Sequence, residues 1–233
     1  MVKVEQLLYS KDNFAYIVYS NHEAIVIDPG CPDKITSFLK HKKLKLINIL
    51  NTHSHFDHTG GNNILEEKTG LKLSDMQELT SNKYLYVGDA RIEIIATPGH
   101  TEDSVCIVTE NAVITGDTMF IANAGNYIPE LLKVFKTSLE TIMKLPDELI
   151  VYPGHDYTER AVKRAMEIDP KNEDIKIFWN KYDPPPVCST IGDERKINLY
   201  VRTNTPAIKD HLKAFGKNVS SDFECFKSFL ELY

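Results

Sequence analysis

Short apolar runs, each closed by turn-forming residues, dominate the first two thirds of this chain. Runs of apolar and β-branched residues bounded by Gly, Pro, Asn or Asp predict strands. They do so near residues 2–8, 14–19, 24–28, 46–50, 84–87, 92–96, 104–109 and 112–116, and again over Leu149–Tyr152. Helical spacing interrupts them. Pro32-Asp33 opens a helix over 33–41 with Phe38 and Leu39 on its inner face, and a second is expected near 61–68. Within 130–144, Leu131, Leu132, Val134, Phe135, Leu139, Ile142 and Met143 repeat at helical intervals.

After residue 157 the pattern changes. A helix is expected over 157–168, with Thr158 as its cap and Glu159 in its first turn. Another should cover 173–181, and a last one 222–232, with Phe223, Phe226, Phe229, Leu230 and Leu232 packing on the body. Between them, Asp183-Pro184-Pro185-Pro186-Val187 reads as a stiff extended connector. The expected organisation is a strand-rich unit over 1–157 and a mainly helical appendage over 158–233, without internal repeats.

Four of the apolar runs end in metal-binding side chains. Leu44–Leu50 leads into His53-Ser54-His55-Phe56-Asp57-His58, which concentrates three imidazoles and a carboxylate in six residues. Ile92–Ala96 runs into Thr97-Pro98-Gly99-His100, Asn111–Thr115 into Gly116-Asp117, and Leu149–Tyr152 into Pro153-Gly154-His155. Neutral imidazoles and carboxylates suit zinc, iron or manganese. Repetition of strand-then-ligand places His100, Asp117 and His155 at one sheet edge beside the first cluster. Glycine next to each ligand fits a tight turn and a close approach of backbone to metal. Asp28-Pro29-Gly30 reads as a turn, with Asp28 able to support a ligand from outside. His22, His41 and His211 lie in polar surroundings and read as surface residues.

Composition narrows the function. With 233 residues, 42% hydrophobic and 26% charged, the chain is of ordinary globular character. Its net charge of -6 offers no basic field, so nucleic acid is not an expected partner. No apolar run approaches the roughly 20 residues of a membrane span. The N-terminus alternates like a strand and lacks a signal-peptide core, and the four cysteines are scattered without Cys-x-x-Cys spacing. Free thiols and a cytoplasmic location are expected. No Gly-x-Ser-x-Gly elbow is present, so a serine acyl-enzyme is not expected.

The series His53-x-His55-x-Asp57-His58, Pro98-Gly99-His100, Gly116-Asp117 and Gly154-His155 resembles the metallo-β-lactamase superfamily. That resemblance implies an α/β fold of αββα sandwich type and two divalent metal ions per chain, zinc first, with iron or manganese as alternatives. His53, His55 and His100 would hold one ion and Asp57, His58 and His155 the other, with Asp117 between them. Paired ions about 3.5–4 Å apart lower the pKa of a shared water, which Asp57 or Asp117 could orient for direct attack as hydroxide.

Gly154-His155-Asp156-Tyr157-Thr158, Pro186–Arg195 and Asn198-Leu199-Tyr200-Val201-Arg202 further resemble glyoxalase II, the hydroxyacylglutathione hydrolases. The resemblance implies hydrolysis of a small-molecule thioester, a glutathione conjugate such as S-lactoylglutathione. Tyr157 matches a substrate-contacting tyrosine. Asn126 stands at the loop position where the family carries a basic residue, and Tyr127 keeps a nearby aromatic, displaced by one place. Lys227 is the one cation on the last helix, where the family offers two. The same ligands also suit another hydrolase of lactones or phosphodiesters, or a mononuclear iron persulfide dioxygenase. Oligomeric state is left open.

Overall fold

Two sheets packed face to face arise from the two kinds of strand in the chain. The computed structural model describes all residues, Met1–Tyr233. β1 (Lys3–Tyr9), β2 (Asn13–Ser20) and β3 (Glu23–Ile27) form an antiparallel meander. α1 (Pro32–Lys42) then carries the chain across to β4 (Lys45–Leu50), which lies parallel to β3. α2 (Phe56–Thr59), α3 (Asn62–Thr69) and α4 (Met76–Asn82) follow. Phe14, Tyr16, Val18, Ile25 and Ile27 face the second sheet. Ala15, Ile17, Ala24 and Val26 face outward against Ile35 and Leu39 of α1 and Leu65 of α3. Burial on both faces is why β2 and β3 read as unbroken apolar runs.

The second sheet has the order β12-β11-β8-β7-β6-β5. It comprises β5 (Tyr84–Val87), β6 (Ala90–Ala96), β7 (Val105–Val108) and β8 (Ala112–Gly116). After a small ribbon of β9 (Met119–Phe120) and β10 (Asn123–Ala124), α5 (Leu132–Ile142) crosses to β11 (Ile150–Pro153). α6 (Thr158–Ile168), α7 (Glu173–Lys181), β12 (Ser189–Thr190), α8 (Ile191–Ile197), α9 (Pro206–Ala214) and α10 (Asp222–Leu232) complete the chain. Helices thus cover the outer face of each sheet, giving αββα layers. Phe135 of α5, Val162 of α6 and Phe226 of α10 share one apolar core with the strands. No helix is long and apolar enough to cross a membrane.

Direction matters most for function. β7 is antiparallel to β6 and β8, and β11 is parallel to β8. β6, β8 and β11 therefore point the same way, and their C-terminal ends share one rim. Backbone hydrogen bonds from Val105 N to Thr52 O (2.8 Å) and from Phe14 N to Gly154 O (2.9 Å) stitch that rim to the first sheet.

Several elements depart from the sequence-based expectation. α4, α8 and α9 occupy stretches without an expected helix, and the ribbon of β9 and β10 lies where none was expected. α8 is begun by a capping box between Thr190 and Asp193, and α9 by Pro206 in its first turn. Thr158 is the first residue of α6 and not its cap; Tyr157 holds the N-cap position without a side-chain bond, and Asp156 Oδ1 accepts the Thr158 N–H at 3.1 Å. The Pro184–Pro186 segment bends, with cis bonds before Pro185 and Pro186.

One polar network ties the C-terminal helices to the rim. Glu194 of α8 is fully buried, and its carboxylate accepts from Ala122 N (3.0 Å), Ser189 Oγ (2.7 Å) and Asn198 Nδ2 (2.7 Å). Asn198 Nδ2 also donates to Asn123 O at 2.9 Å. The loop after β8 is thereby held by side chains more than 70 residues downstream. Burial raises the Glu194 pKa from 4.5 to about 7, against the hydrogen bonds that lower it. A carboxyl raised on folding stabilises below its unfolded pKa and loses that contribution as pH climbs through the folded one. A tenfold change in proton affinity is worth about 1.4 kcal/mol, so wild type should lose about 2–3 kcal/mol relative to E194Q between pH 5 and 7.5. Urea unfolding of both proteins across that window checks this; parallel stability curves would contradict it.

Candidate metal centre

Seven side chains expected as ligands meet at the rim where the strand ends converge. They form three groups whose donor atoms lie within 4.8 Å of one another: His53, His55 and His100; His53, His58 and Asp117; and Asp57, His58 and His155. His55 Nδ1 stands 3.0 Å from both His53 Nε2 and His100 Nε2. On the other side, His155 Nε2 is 3.2 Å from His58 Nε2 and 3.2 Å from Asp57 Oδ2. Asp117 lies between the groups, at 3.3 Å from His58 Nε2, 3.4 Å from His155 Nε2 and 3.6 Å from His100 Nε2.

These spacings fit cation binding. Donors held 2.0–2.1 Å from one ion at tetrahedral angles stand roughly 3.3 Å apart. The four Nδ1 atoms with outer partners each face a group that takes an N–H, leaving Nε2 with its lone pair turned inward. His58 Nδ1 meets Asp28 Oδ2 at 3.0 Å, His155 Nδ1 meets Asp12 Oδ1 at 3.2 Å, and His100 Nδ1 meets the Asn126 carbonyl at 2.7 Å. His53 Nδ1 meets Thr52 Oγ1 at 3.0 Å, whose hydroxyl in turn donates to Asp28 Oδ2 at 2.7 Å. Asp117 Oδ1 is buried without a hydrogen-bond partner, an anionic oxygen aimed into the centre.

Electrostatics agree. Burial opposes a proton on His58, but the Asp28 and Asp117 carboxylates outweigh it and push its pKa up to about 10. His155 is likewise raised, its burial overcome by Asp117 and Asp12. Burial and the neighbouring His58 push His53 down to about 4, and burial lowers His100 despite the Asn126 carbonyl. Although burial would raise it, Asp117 is held well below the usual carboxylate range by His155 and His58. Asp57 is lowered too, burial being outweighed by His58 and the bond from Asn13. The protein alone thus places protons where the carboxylates demand positive charge.

Asp28 is the residue that sequence reading undervalued. It is fully buried, in a left-handed backbone conformation (φ 53°), and its Oδ1 accepts Thr52 N at 2.7 Å. Aspartate tolerates that conformation better than most side chains, and such strain gathers at functional sites. Asp12 and Asn13 were also missed. Asn13 Nδ2 donates to Asp57 Oδ2 at 3.0 Å. Both lie in the hairpin turn before β2, which the β11 end meets at the isolated pairing of Asn13 with His155.

Gly99 (φ 142°) and Gly116 (φ 50°) take the positive φ of tight turns, as expected, and glycine here has a second use. A Cβ on Gly154 would stand 2.1 Å from Asp117 Oδ1, and one on Gly99 2.5 Å from the Phe135 Cβ. They make room for a neighbouring ligand and for α5. Of the expected substrate contacts, Tyr157 stacks on His155 (centroids 5.3 Å, 5° between planes) with the Phe120 ring edge-on at 5.0 Å. Asn126 is exposed beside His100, touching it through its carbonyl. Tyr127 stacks on Phe135 at 6.1 Å.

Comparison with known proteins gives the family. Residues 11–74 and 73–155 match the metallo-beta-lactamase superfamily, and residues 156–231 match the hydroxyacylglutathione hydrolase C-terminus. The hydroxyacylglutathione hydrolase of Dictyostelium discoideum is 32% identical over 90% of this chain and 90% of its own. That of Pseudoalteromonas translucida is 30% identical over 100% of this chain and 97% of its own. In fold, the crystal structure of ETHE1 from Myxococcus xanthus superposes with a TM-score of 0.66 at 23% identity, over 98% of this chain and 90% of that one. The chain belongs to the metallo-β-lactamase superfamily and, within it, to the hydroxyacylglutathione hydrolase family.

Proposed function

We propose that this chain hydrolyses hydroxyacyl thioesters of glutathione, S-lactoylglutathione first among them, with two zinc ions. The observation that carries the reading is Asp117, a buried carboxylate within 3.3–3.6 Å of His58, His155 and His100, between two groups of inward-facing imidazoles. Its relatives' name and the matched C-terminal segment supply the substrate class.

His53, His55 and His100 would hold one ion, Asp57, His58 and His155 the second, and Asp117 would bridge. Cations held by these residues would lower the pKa of a water and polarise the thioester carbonyl. Asp57 Oδ2 is engaged by Asn13 and His155, which leaves Oδ1 to accept the proton of the attacking water. Water oxygen adds to the acyl carbon, the C–S bond breaks, and the thiolate leaves with its electron pair to be protonated. Tyr157, held flat by His155 and Phe120, offers a wall for the substrate beside the centre. Asn126 and Tyr127, on the loop at His100, border its other side.

Purified protein reloaded with zinc should contain two metals per chain and consume S-lactoylglutathione. H58A should abolish turnover and hold one metal fewer, and D117A should lose both. A fully loaded protein that leaves thioesters intact would overturn the reading, and oxygen uptake with a single bound iron would replace it. Asp28→Ala should retain the fold but weaken metal affinity about 10–100-fold, because two imidazoles lose their outer anchor; competition with a chromophoric chelator measures this. Metal uptake must expel the His58 proton, whose pKa lies near 10 without metal. Apparent zinc affinity should therefore climb between pH 6 and 8, with proton release detectable in weak buffer. Affinity independent of pH would contradict that displacement.

A further inference from the structure

A groove of about 1320 Å³ opens beside Tyr157, between α6, the turn before β2 and the proline segment 184–187. Its proline wall is fixed by Gln6, which accepts from Val187 N at 2.7 Å and donates to Val187 O at 2.8 Å. The groove begins at the metal centre, since Asp12 and Tyr157 line it and both touch His155.

Four basic side chains line it, Lys11, Arg160, Lys163 and Arg164, alongside four acids. Three of the four acids lining it are already engaged: Asp12 with His155, Asp156 with Thr158 N, and Glu159 with Lys163. Arg160 and Arg164 have no carboxylate partner; Arg160 lies over the Tyr157 ring at 5.5 Å, and Arg164 over Tyr233 at 4.9 Å. Arg164 has one weak hydrogen bond, to Tyr200 Oη at 3.5 Å. One turn apart on α6, the two guanidiniums occupy neighbouring positions on one face. They present planar forks suited to a carboxylate. Through Tyr157, Arg160 lies within about 11 Å of the His155 ring, the length that three extended residues span.

We propose that this groove receives the thiol half of the thioester, with Arg160 and Arg164 binding its carboxylate. The inference rests on the thioester reading and deepens it: the substrate's leaving group is a short anionic peptide thiol. Selectivity then comes from the first two turns of α6.

Trp179, the chain's single tryptophan, lines the groove and reports on it directly. Titration with S-methylglutathione, which cannot be hydrolysed, should change its fluorescence saturably. The R160Q, R164Q double variant should bind at least about tenfold more weakly, as expected for lost charge-assisted hydrogen bonds. The same variant should lower the ratio of kcat/KM for S-lactoylglutathione over its neutral diethyl ester by a similar factor, chiefly through KM. The charge-conserving R160K, R164K pair should recover part of the binding, which a damaged α6 would not. Equal binding by wild type and the glutamine variant, or an unchanged substrate ratio, would overturn the proposal. Groove binding in a protein that cleaves no thioester would instead remove the hydrolase reading and leave the groove assigned.

Discussion

A single buried carboxylate organises the centre. Asp28 has no lysine or arginine beside it; its charge is met by Thr52, Asn51 and the His58 imidazole. A buried anion is expensive unless its partners are held rigidly. Rigidity is what the arrangement provides, because Thr52 and Asn51 directly follow β4 and Asp28 directly follows β3, its parallel neighbour. Both imidazoles that depend on it are thereby oriented before any ion arrives. Preorganisation of this kind removes the reorganisation that a cation would otherwise have to drive.

Topology does the rest. Parallel directions of β6, β8 and β11 bring three ligand-bearing turns to one rim, and the rim of the first sheet is bonded to it through Thr52 and Gly154. Reversal of a single strand would send one ligand to the opposite end of the sandwich. Close packing at this rim explains the glycine at 154: the space a methyl group would take is filled by Asp117.

The seven converging side chains were legible in the sequence because each follows an apolar run, where the strand pattern and the chemistry mark the same place. Asp28 was partly legible, since a strand, a helix and a strand in succession over 24–50 imply a parallel pair whose ends are neighbours. Asp12, Asn13 and Thr52 were not, because hydroxyl, amide and carboxylate groups at turns are common and only contact across sheets gives these a task. α4 left no periodic trace, having no buried residue, and α8 and α9 each bury too few apolar positions to set a period. Their capping residues, Thr190 with Asp193 and Thr205 with Pro206, were the readable signals.

His155 is clamped on both flanks to the opening hairpin, by Phe14 N to Gly154 O and Asp156 N to Asp12 O, each at 2.9 Å, and by Asp12 through its ring, 143 positions away along the chain. During synthesis the early hairpin must therefore wait for β11 before the His155 side of the centre exists at all. Contacts of such long sequence separation form late and slowly. A nascent or partly folded chain consequently offers only loose histidines, and a cradle with His155 in place becomes a mark of completed folding.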